Sequence, residues 1–461
     1  MINVAVQGLG FVGSAIAVAI ASRVRKNKKP IFNVIGIDQD NELGRKRIDL
    51  INKGIFPIET SDRKMLALTK RFVKNRNLKA SCNPKFYNGA KVIIVSINFD
   101  LVRRKKAVSL DMDTFKKSIE EIAENISKET LIIVQSTIPP GTCKKIIRPL
   151  LNKILKRRNI NPNQIYLAHS YERVMPGENY LNSIINYWRV YSGVNKTSAN
   201  KCRKFLSQLI DTKKFPLTEL ENTEASETAK LLENSFRATN IAFIEEWSRF
   251  AEDIGIDLYK IIDAIKFRPT HKNIMRPGFG VGGYCLTKDP LIAKIASREI
   301  YKTNKHKFEF SSKSIEINNK MPLVSLNKIK QYYGNKIKNK KLLLLGITYR
   351  EDVGDTRFSP SEIFFKQAEK IKIKVIPFDP LVQFWNEMKM KMPLKIPQLD
   401  QFDIIFLAVK HKVFNEINFK KTFNKKKKVL IFDSNEVLNS KQIKDIKKNK
   451  SLELITIGRG L

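Results

Sequence analysis

Along the first 200 residues, short runs of consecutive apolar residues alternate with stretches in which apolar positions return every three or four residues. The runs are INVAVQ, FNVIGID, KVIIVSI, LIIVQST, IYLAH and WRVYSG. Runs that are apolar on both faces and separated by helical patterns predict parallel strands covered by helices on both sides. The same alternation returns late in the chain, in KLLLLGI, IKVIPFD, FDIIFLAV, KKVLIFD and LELITI. The expected fold is therefore α/β, with two Rossmann-like, doubly wound parallel sheets.

Between the two sets the pattern changes. Residues 222–256 contain no proline, their first glycine is Gly255, and Leu232, Phe236, Phe243, Trp247 and Phe250 recur at helical spacing. One long helix is predicted, about 40 Å or more at 1.5 Å per residue, followed by shorter helices that complete a small middle domain. Such a helix joins the two sheets and offers a face on which two copies of the chain can pair. NNKMP and the lysine-rich stretch to Lys341 read as a junction. The domains expected are thus 1–215, 216–322 and 323–461.

The chain has 461 residues, enough for two or three cores, and its 42% hydrophobic content with 27 phenylalanines excludes global disorder. Lys+Arg 85 against Asp+Glu 45 leaves a formal charge of +40. That excess is spread over short runs, RVRKNKK, VRRKK, NKIKNKK and NKKKK, each at the margin of an apolar element. A dispersed positive charge reads as a solvated surface that draws in small anions, rather than a nucleic-acid stripe. The four cysteines, Cys82, Cys143, Cys202 and Cys285, form no CxxC pair, so neither a metal site nor a disulfide framework is expected. Three of them read as small buried apolar residues. The N-terminus enters a strand at once, and no apolar run reaches the roughly 18 residues that span a bilayer, so the expected location is the cytoplasm, away from membranes.

Candidate chemistry begins at GLGFVG. Gly8, Gly10 and Gly13 stand in GxGxxG spacing, with Phe11 and Val12 completing the turn, directly after a strand and at the head of a helix. In that context the first glycine permits a tight turn, the second lets backbone approach a pyrophosphate, and the third lets helix and strand pack closely. Asp38 ends the second strand and is suited to a ribose 2′-hydroxyl, which favours NAD over NADP. Thr137 of STIPPGT ends a later strand on the carboxyl edge, where ligands of such sheets bind, although an ordinary proline turn would look the same.

GFGVGGYCLTKDP surrounds one cysteine with bare backbone, Gly282 included, and two opposite charges. Open backbone N–H groups and the ammonium of Lys288 favour thiolate over thiol at Cys285. An NAD enzyme needs no thiolate to oxidise an alcohol to an aldehyde. Oxidising the aldehyde further requires an adduct, and a thiohemiacetal that becomes a thioester supplies it. On the long helix Lys230, Asn234 and Arg237 share one stripe, suited to a base or an oxyanion stabiliser, though a solvated polar face has the same spacing.

GLGFVG, STIPPGT, AKLLENSFRATNIAFIEE, GFGVGGYCLTKDP and GITYREDVGDTRFSPS, in that order, resemble the UDP-glucose/GDP-mannose dehydrogenase family almost from end to end. The resemblance implies a four-electron oxidation of a nucleotide sugar at C6 to a uronate, with two NAD used in succession, for surface-polysaccharide precursors. It implies Cys285 as thioester nucleophile, Lys230 as stabiliser of the alkoxide or oxyanion, and Asn234 as its neighbour. Asp289 and Thr137 would position the water, and Glu172 of SYERVMPG matches the family's catalytic glutamate. In that family the last domain binds the nucleotide diphosphate, which makes Tyr349, Arg350 and Arg357 substrate-binding candidates. Family members commonly pair through the long helix, with an arginine crossing between subunits, and Arg268 is the corresponding candidate here.

The sequence departs from the family at two places: Tyr171 stands where proline usually precedes the glutamate, and Tyr284 where Ser or His often precedes the cysteine. KD after Cys285 resembles the UDP-glucose branch, whereas ENSFRATNIAF and PGFGVGG resemble the branch acting on UDP-N-acetylhexosamines such as UDP-N-acetylmannosamine. The second branch is the expected one. Two other readings stand beside it. One is a two-electron 2-hydroxyacid or 6-phosphogluconate-type dehydrogenase, which would leave Cys285 idle. The other is a noncatalytic nucleic-acid binder motivated by the charge.

Overall fold

Every apolar run named above becomes a strand in the computed structural model, which describes residues 1–104, 107–175, 177–423 and 428–460. The basic runs at 102–106 and 424–428 fall partly outside those residues, as does the last residue of the third predicted domain. The chain divides into two units, Met1–Glu233 with Leu291–Lys307, and Asn234–Pro290 with Phe308–Leu461.

The first unit is built on eight strands: β1 (Ile2–Gln7), β2 (Phe32–Ile37), β3 (Leu78–Ser81), β4 (Val92–Val95), β5 (Leu131–Val134), β6 (Tyr166–His169), β7 (Arg189–Gly193) and β8 (Leu217–Glu219). Their order across the sheet is β8-β7-β6-β5-β4-β1-β2-β3. Because successive side chains point to opposite faces, Val4, Val6, Val34, Ile94 and Ile133 enter one core layer, and Ala5, Ile35, Ile93, Ile132 and Leu167 the other. Helix α1 (Phe11–Ala21) lies in the first layer.

One pair departs from the parallel expectation: β6 and β7 run antiparallel, with Ala168 opposite Gly193 and His169 opposite Ser192. The connection between them, 170–188, holds among its described residues only the single-turn helix Asn182–Ile185, not the crossover that a parallel return needs. The short edge strands β3 and β8 have too few apolar residues to show as runs.

The second unit carries five parallel strands, β9 (Lys341–Leu345), β10 (Lys374–Phe378), β11 (Ile404–Leu407), β12 (Val429–Asp433) and β13 (Leu452–Thr456), in the order β10-β9-β11-β12-β13. The predicted long helix is α2 (Thr223–Asp253), followed by Leu258–Ile265, α3 (Asp289–Glu299) and α4 (Glu309–Tyr333). NNKMP, read as a junction, lies inside α4, with Pro322 buried in the helix interior. No helix among the described residues is long and apolar enough to cross a membrane.

The polarity of α2 is inverted along its first turns. Thr223, Ser226, Glu227 and Lys230, at i, i+3, i+4 and i+7, are buried. Leu232, Phe236, Phe243, Trp247 and Phe250 are instead 48% to 66% exposed. Cysteine burial also needs one correction. Cys143 and Cys202 are buried as expected, but Cys82 is exposed, because it follows the edge strand β3 and leaves the core layers.

Ser226 meets His169, the last residue of β6: the two side chains are 2.7 Å apart, and Ser192 extends the contact at 2.6 Å. Burial pushes the imidazole down to about 3, with the nearby Lys230 charge acting in the same direction and the Ser136 backbone opposing. The neutral ring is therefore the folded form. Its contribution to stability is complete above the ordinary value of 6.5 and is lost as pH falls through the window from 6.5 to 3, at up to about 1.4 kcal/mol per pH unit. The melting temperature of the wild type is expected to fall more steeply between pH 6.5 and pH 4 than that of His169→Gln; parallel curves in a thermal scan would contradict this.

Candidate functional site

In the first sheet the strand order reverses between β1 and β4, and the turn after β1 lies at that switch point, where such sheets bind ligands. Gly8 has φ +85°, and a Cβ there would stand 2.7 Å from the Ser96 carbonyl oxygen. A Cβ on Gly13 would meet the Gly8 carbonyl oxygen at 1.7 Å. Gly10 differs, since its Cβ direction opens on empty space. Gly10 also precedes α1 with no side-chain cap and no acidic residue in the first turn, which suits the start of this helix to an anion. Asp38 accepts hydrogen bonds from the Leu9 N–H (3.2 Å) and from Arg47 (3.2 Å) at the end of β2. An open glycine, an uncapped helix start and a strand-end carboxylate fit the pyrophosphate and ribose of NAD.

In the same unit, α2 brings Lys230 to the segment after β6. Lys230 is 8% exposed, and its ammonium donates to the peptide oxygen of Glu172 at 2.8 Å and lies 5.4 Å from the centre of the Tyr171 ring. The Glu172 carboxylate accepts from the Val174 N–H. Tyr171 is buried, and its hydroxyl donates to Glu233 at 2.8 Å and accepts from Arg173 at 3.1 Å. Burial works against the Glu233 carboxylate, but Arg173, Tyr171 and the Lys230 charge outweigh it and hold it below its usual range. Burial, then Glu233, pushes the Tyr171 phenol up. Tyr171 thus ties Lys230 to an Arg173–Glu233 pair. Thr137 follows β5 on the carboxyl edge, half-buried, beside Ser136, whose hydroxyl donates to the Ile97 carbonyl at 2.6 Å.

In the second unit the glycines before the cysteine serve close packing. A Cβ on Gly282 would stand 2.5 Å from Tyr349 Cβ and 2.9 Å from Pro360 Cδ, and one on Gly283 would meet the Tyr349 ring at 2.9 Å. The Gly283 N–H donates to the Arg357 carbonyl at 3.1 Å. That group is not open to a ligand, contrary to the expectation for this loop, because the Tyr349–Pro360 segment lies against it. Cys285 is exposed just before α3 and accepts at its carbonyl from the N–H groups of Lys288 and Asp289.

Lys288 does not stand as a lone cation beside the thiol. Its ammonium pairs with Asp289 at 2.9 Å and lies 4.5 Å from the centre of the Tyr284 ring. The other oxygen of Asp289, a fully buried residue, accepts from Asn234 at 2.7 Å, so one carboxylate fixes both neighbours. The charge of Arg357 also interacts with Cys285. Burial opposes that charge, but Asp355, Tyr349 and Cys285 hold the guanidinium above its usual value. Burial, then Asp355 and Cys285, pushes the Tyr349 phenol up to about 12.

Tyr349, Arg350 and Arg357 share the loop after β9, at the point where the order of the second sheet reverses between β9 and β11. Arg357 grips Asp355 through Nε (2.9 Å) and a terminal nitrogen (2.7 Å). The loop is held from below by Asp379, which accepts from the Ile347 and Thr348 N–H groups, and by His411, whose Nδ1 accepts from the Asp352 N–H at 3.1 Å. Arg237 and Arg268 are exposed and stand apart from these contacts. Asp379, His411, Glu233 and Arg173 had no signal in the sequence, since each acts through a partner distant in the chain or through backbone geometry, whereas Asp355 stands two residues from its partner Arg357 and carried no distinguishing pattern.

Three models of one family match the chain in order: the UDP-glucose/GDP-mannose dehydrogenase family's NAD binding domain over residues 2–210, its central domain over 224–320 and its UDP binding domain over 343–440. The chain is 29% identical to the UDP-N-acetyl-D-mannosamine dehydrogenase of Methanocaldococcus jannaschii over 446 residues, covering 95% of this chain and 93% of the other. It is likewise 29% identical to the enzyme of that name from Campylobacter jejuni, covering 90% and 97%. The solved structure of UDP-D-ManNAc dehydrogenase from Pyrococcus horikoshii superposes with a TM-score of 0.82 at 26% identity over 100% of both chains. With its NAD turn, its cysteine loop and all three domains in place, the chain belongs to the UDP-glucose/GDP-mannose dehydrogenase family and is an NAD-dependent oxidoreductase.

Proposed function

We propose that the protein oxidises the C6 hydroxymethyl of a UDP-N-acetylhexosamine, with UDP-N-acetylmannosamine first among them, to the uronate, supplying precursors for surface polysaccharide. The observation that carries this reading is the exposed Cys285 held beside Arg357 on a backbone that only glycine permits. The substrate class rests on the names of the relatives and on the diphosphate-sized charge of the loop after β9. UDP-glucose is the alternative.

NAD, held by the Gly8–Gly13 turn and Asp38, would supply the hydride acceptor for both oxidations, one of the alcohol and one of the thiohemiacetal. In the first stage the C6 hydroxyl loses its proton to a water positioned by Asp289 and Thr137, and Lys230 stabilises the alkoxide with the donors that Glu172 does not take. In the second, the Cys285 thiolate adds to the aldehyde carbon, the carbonyl oxygen takes a proton, and the resulting carbon gives up hydride as its hydroxyl releases that proton to water, which leaves a thioester. Water then adds, the C–S bond breaks, and carboxylate and thiol are released. Lys230 and Asn234 balance the oxyanion of that addition, and Glu172 exchanges protons with the water. Arg357, Arg350 and Tyr349 hold the diphosphate side, with Arg357 exchanging part of its grip on Asp355 for phosphate. The working form is a homodimer in the cytoplasm, paired through the aromatic stripe of α2, which leaves five large apolar residues in solvent in the single chain.

Two outcomes are expected. With a panel of UDP-hexoses and UDP-N-acetylhexosamines, the preferred sugar yields two NADH per molecule consumed; a yield of one would favour the two-electron reading. Light scattering of the wild type reports a dimer, and Trp247→Glu shifts it toward monomer by placing a charge in the stripe. A wild-type monomer, or an unshifted variant, would remove α2 from the interface.

A further inference from the structure

Glu227 sits three residues before Lys230 on α2, and nothing in the chemistry above uses it. It is fully buried, yet carries a carboxylate. One oxygen accepts the Gly141 N–H at 2.6 Å, and the other accepts the Cys143 N–H at 2.9 Å. Both donors belong to the segment that begins at Thr137. Burying an acid is costly, and an apolar side chain would fill the same space without that cost. The carboxyl group is spent on two backbone groups of one loop, with the Cys143 thiol against it as well.

That loop has little freedom elsewhere. Gly141 is left-handed at φ +88°, and a Cβ there would stand 2.9 Å from the Tyr301 hydroxyl, so Tyr301 closes one side while Glu227 holds the amides. The Thr142 hydroxyl and N–H both donate to the Pro139 carbonyl, at 2.6 and 3.1 Å. Pro139 and Pro140 fix their own φ angles and carry any shift at Gly141 back to Thr137. Burial pushes the Glu227 carboxyl up to about 8, the Cys143 and Gly141 groups oppose this, and the Glu224 charge adds to it.

We infer that Glu227 is a positioning residue for the reaction: it clamps the 141–143 backbone to α2 and so holds Thr137 in register with Lys230, one turn along the same helix. This rests on the roles proposed above for Thr137 and Lys230. Glutamine in its place has one acceptor where two are needed and turns donors toward a donor, so one loop N–H loses its partner.

A double-mutant cycle tests it, with kcat and KM measured for wild type, Thr137→Ala, Glu227→Gln and the double variant, and NADH binding followed by tryptophan fluorescence. Glu227→Gln is expected to lower kcat about tenfold while NADH affinity and the KM for NAD stay within about twofold, and the double variant is expected to match Thr137→Ala alone. Additive losses, or an unchanged kcat in Glu227→Gln, would overturn the inference. Full activity in Thr137→Ala would remove the role of Thr137 and this inference with it. Impairment there with none in Glu227→Gln would remove this inference only. If Glu227→Gln does not accumulate folded, Glu227→Asp, one methylene shorter, enters the same cycle with the same two readings.

Discussion

Bare backbone at Gly280, Gly282 and Gly283 lies against Tyr349 and Pro360, and this contact is the constraint on which the cysteine loop of the second unit depends. A methyl group at Gly282 or Gly283 would sit within 3 Å of that wall, so any other residue would force the loop and the Tyr349–Pro360 segment apart. Because they touch, the Gly283 N–H reaches the Arg357 carbonyl, and the charge of Arg357 acts on Cys285. The glycines therefore serve the cysteine indirectly. They bring Arg357 to it, while the nearby Lys288 ammonium is paired with Asp289.

A second consequence concerns α2, whose two polarities are displaced from where a soluble helix puts them. Its first turns bury Ser226, Glu227 and Lys230, each with a hydrogen-bond partner in the first unit, while its aromatic stripe stays in solvent. Burying polar groups this way is stable only when each is satisfied, and here a neutral histidine, two loop amides and a peptide carbonyl do so. A helix whose inner face is spent on polar contacts keeps its apolar face for another surface, which is the basis for assigning it the dimer contact.

Much of this was legible in the sequence, and what was not has physical causes. All the long apolar runs became strands, because a strand buried on both faces needs little beyond its own composition. The antiparallel β6–β7 pair was not visible, since direction is set by the length and content of the connection rather than by the strands. GLGFVG and Asp38 could be read because the turn imposes local backbone demands. Lys288 was read as a cation beside Cys285, and its pairing with Asp289 was not visible from sequence proximity. Leu232 to Phe250 marked the helix correctly, but periodicity cannot say which stripe meets the core. Glu227 and Glu233 look like ordinary solvated helix residues until their distant partners, Gly141, Cys143 and Arg173, are in place.

Within the second unit these threads meet at one sulfur, whose loop lies against the Tyr349–Pro360 segment that carries Arg357. The most direct test is uronate production by Cys285→Ala with NADH binding monitored alongside. The account predicts a loss of at least about a thousandfold in acid formation with cofactor affinity unchanged. Acid formed at the wild-type rate by that variant would contradict it.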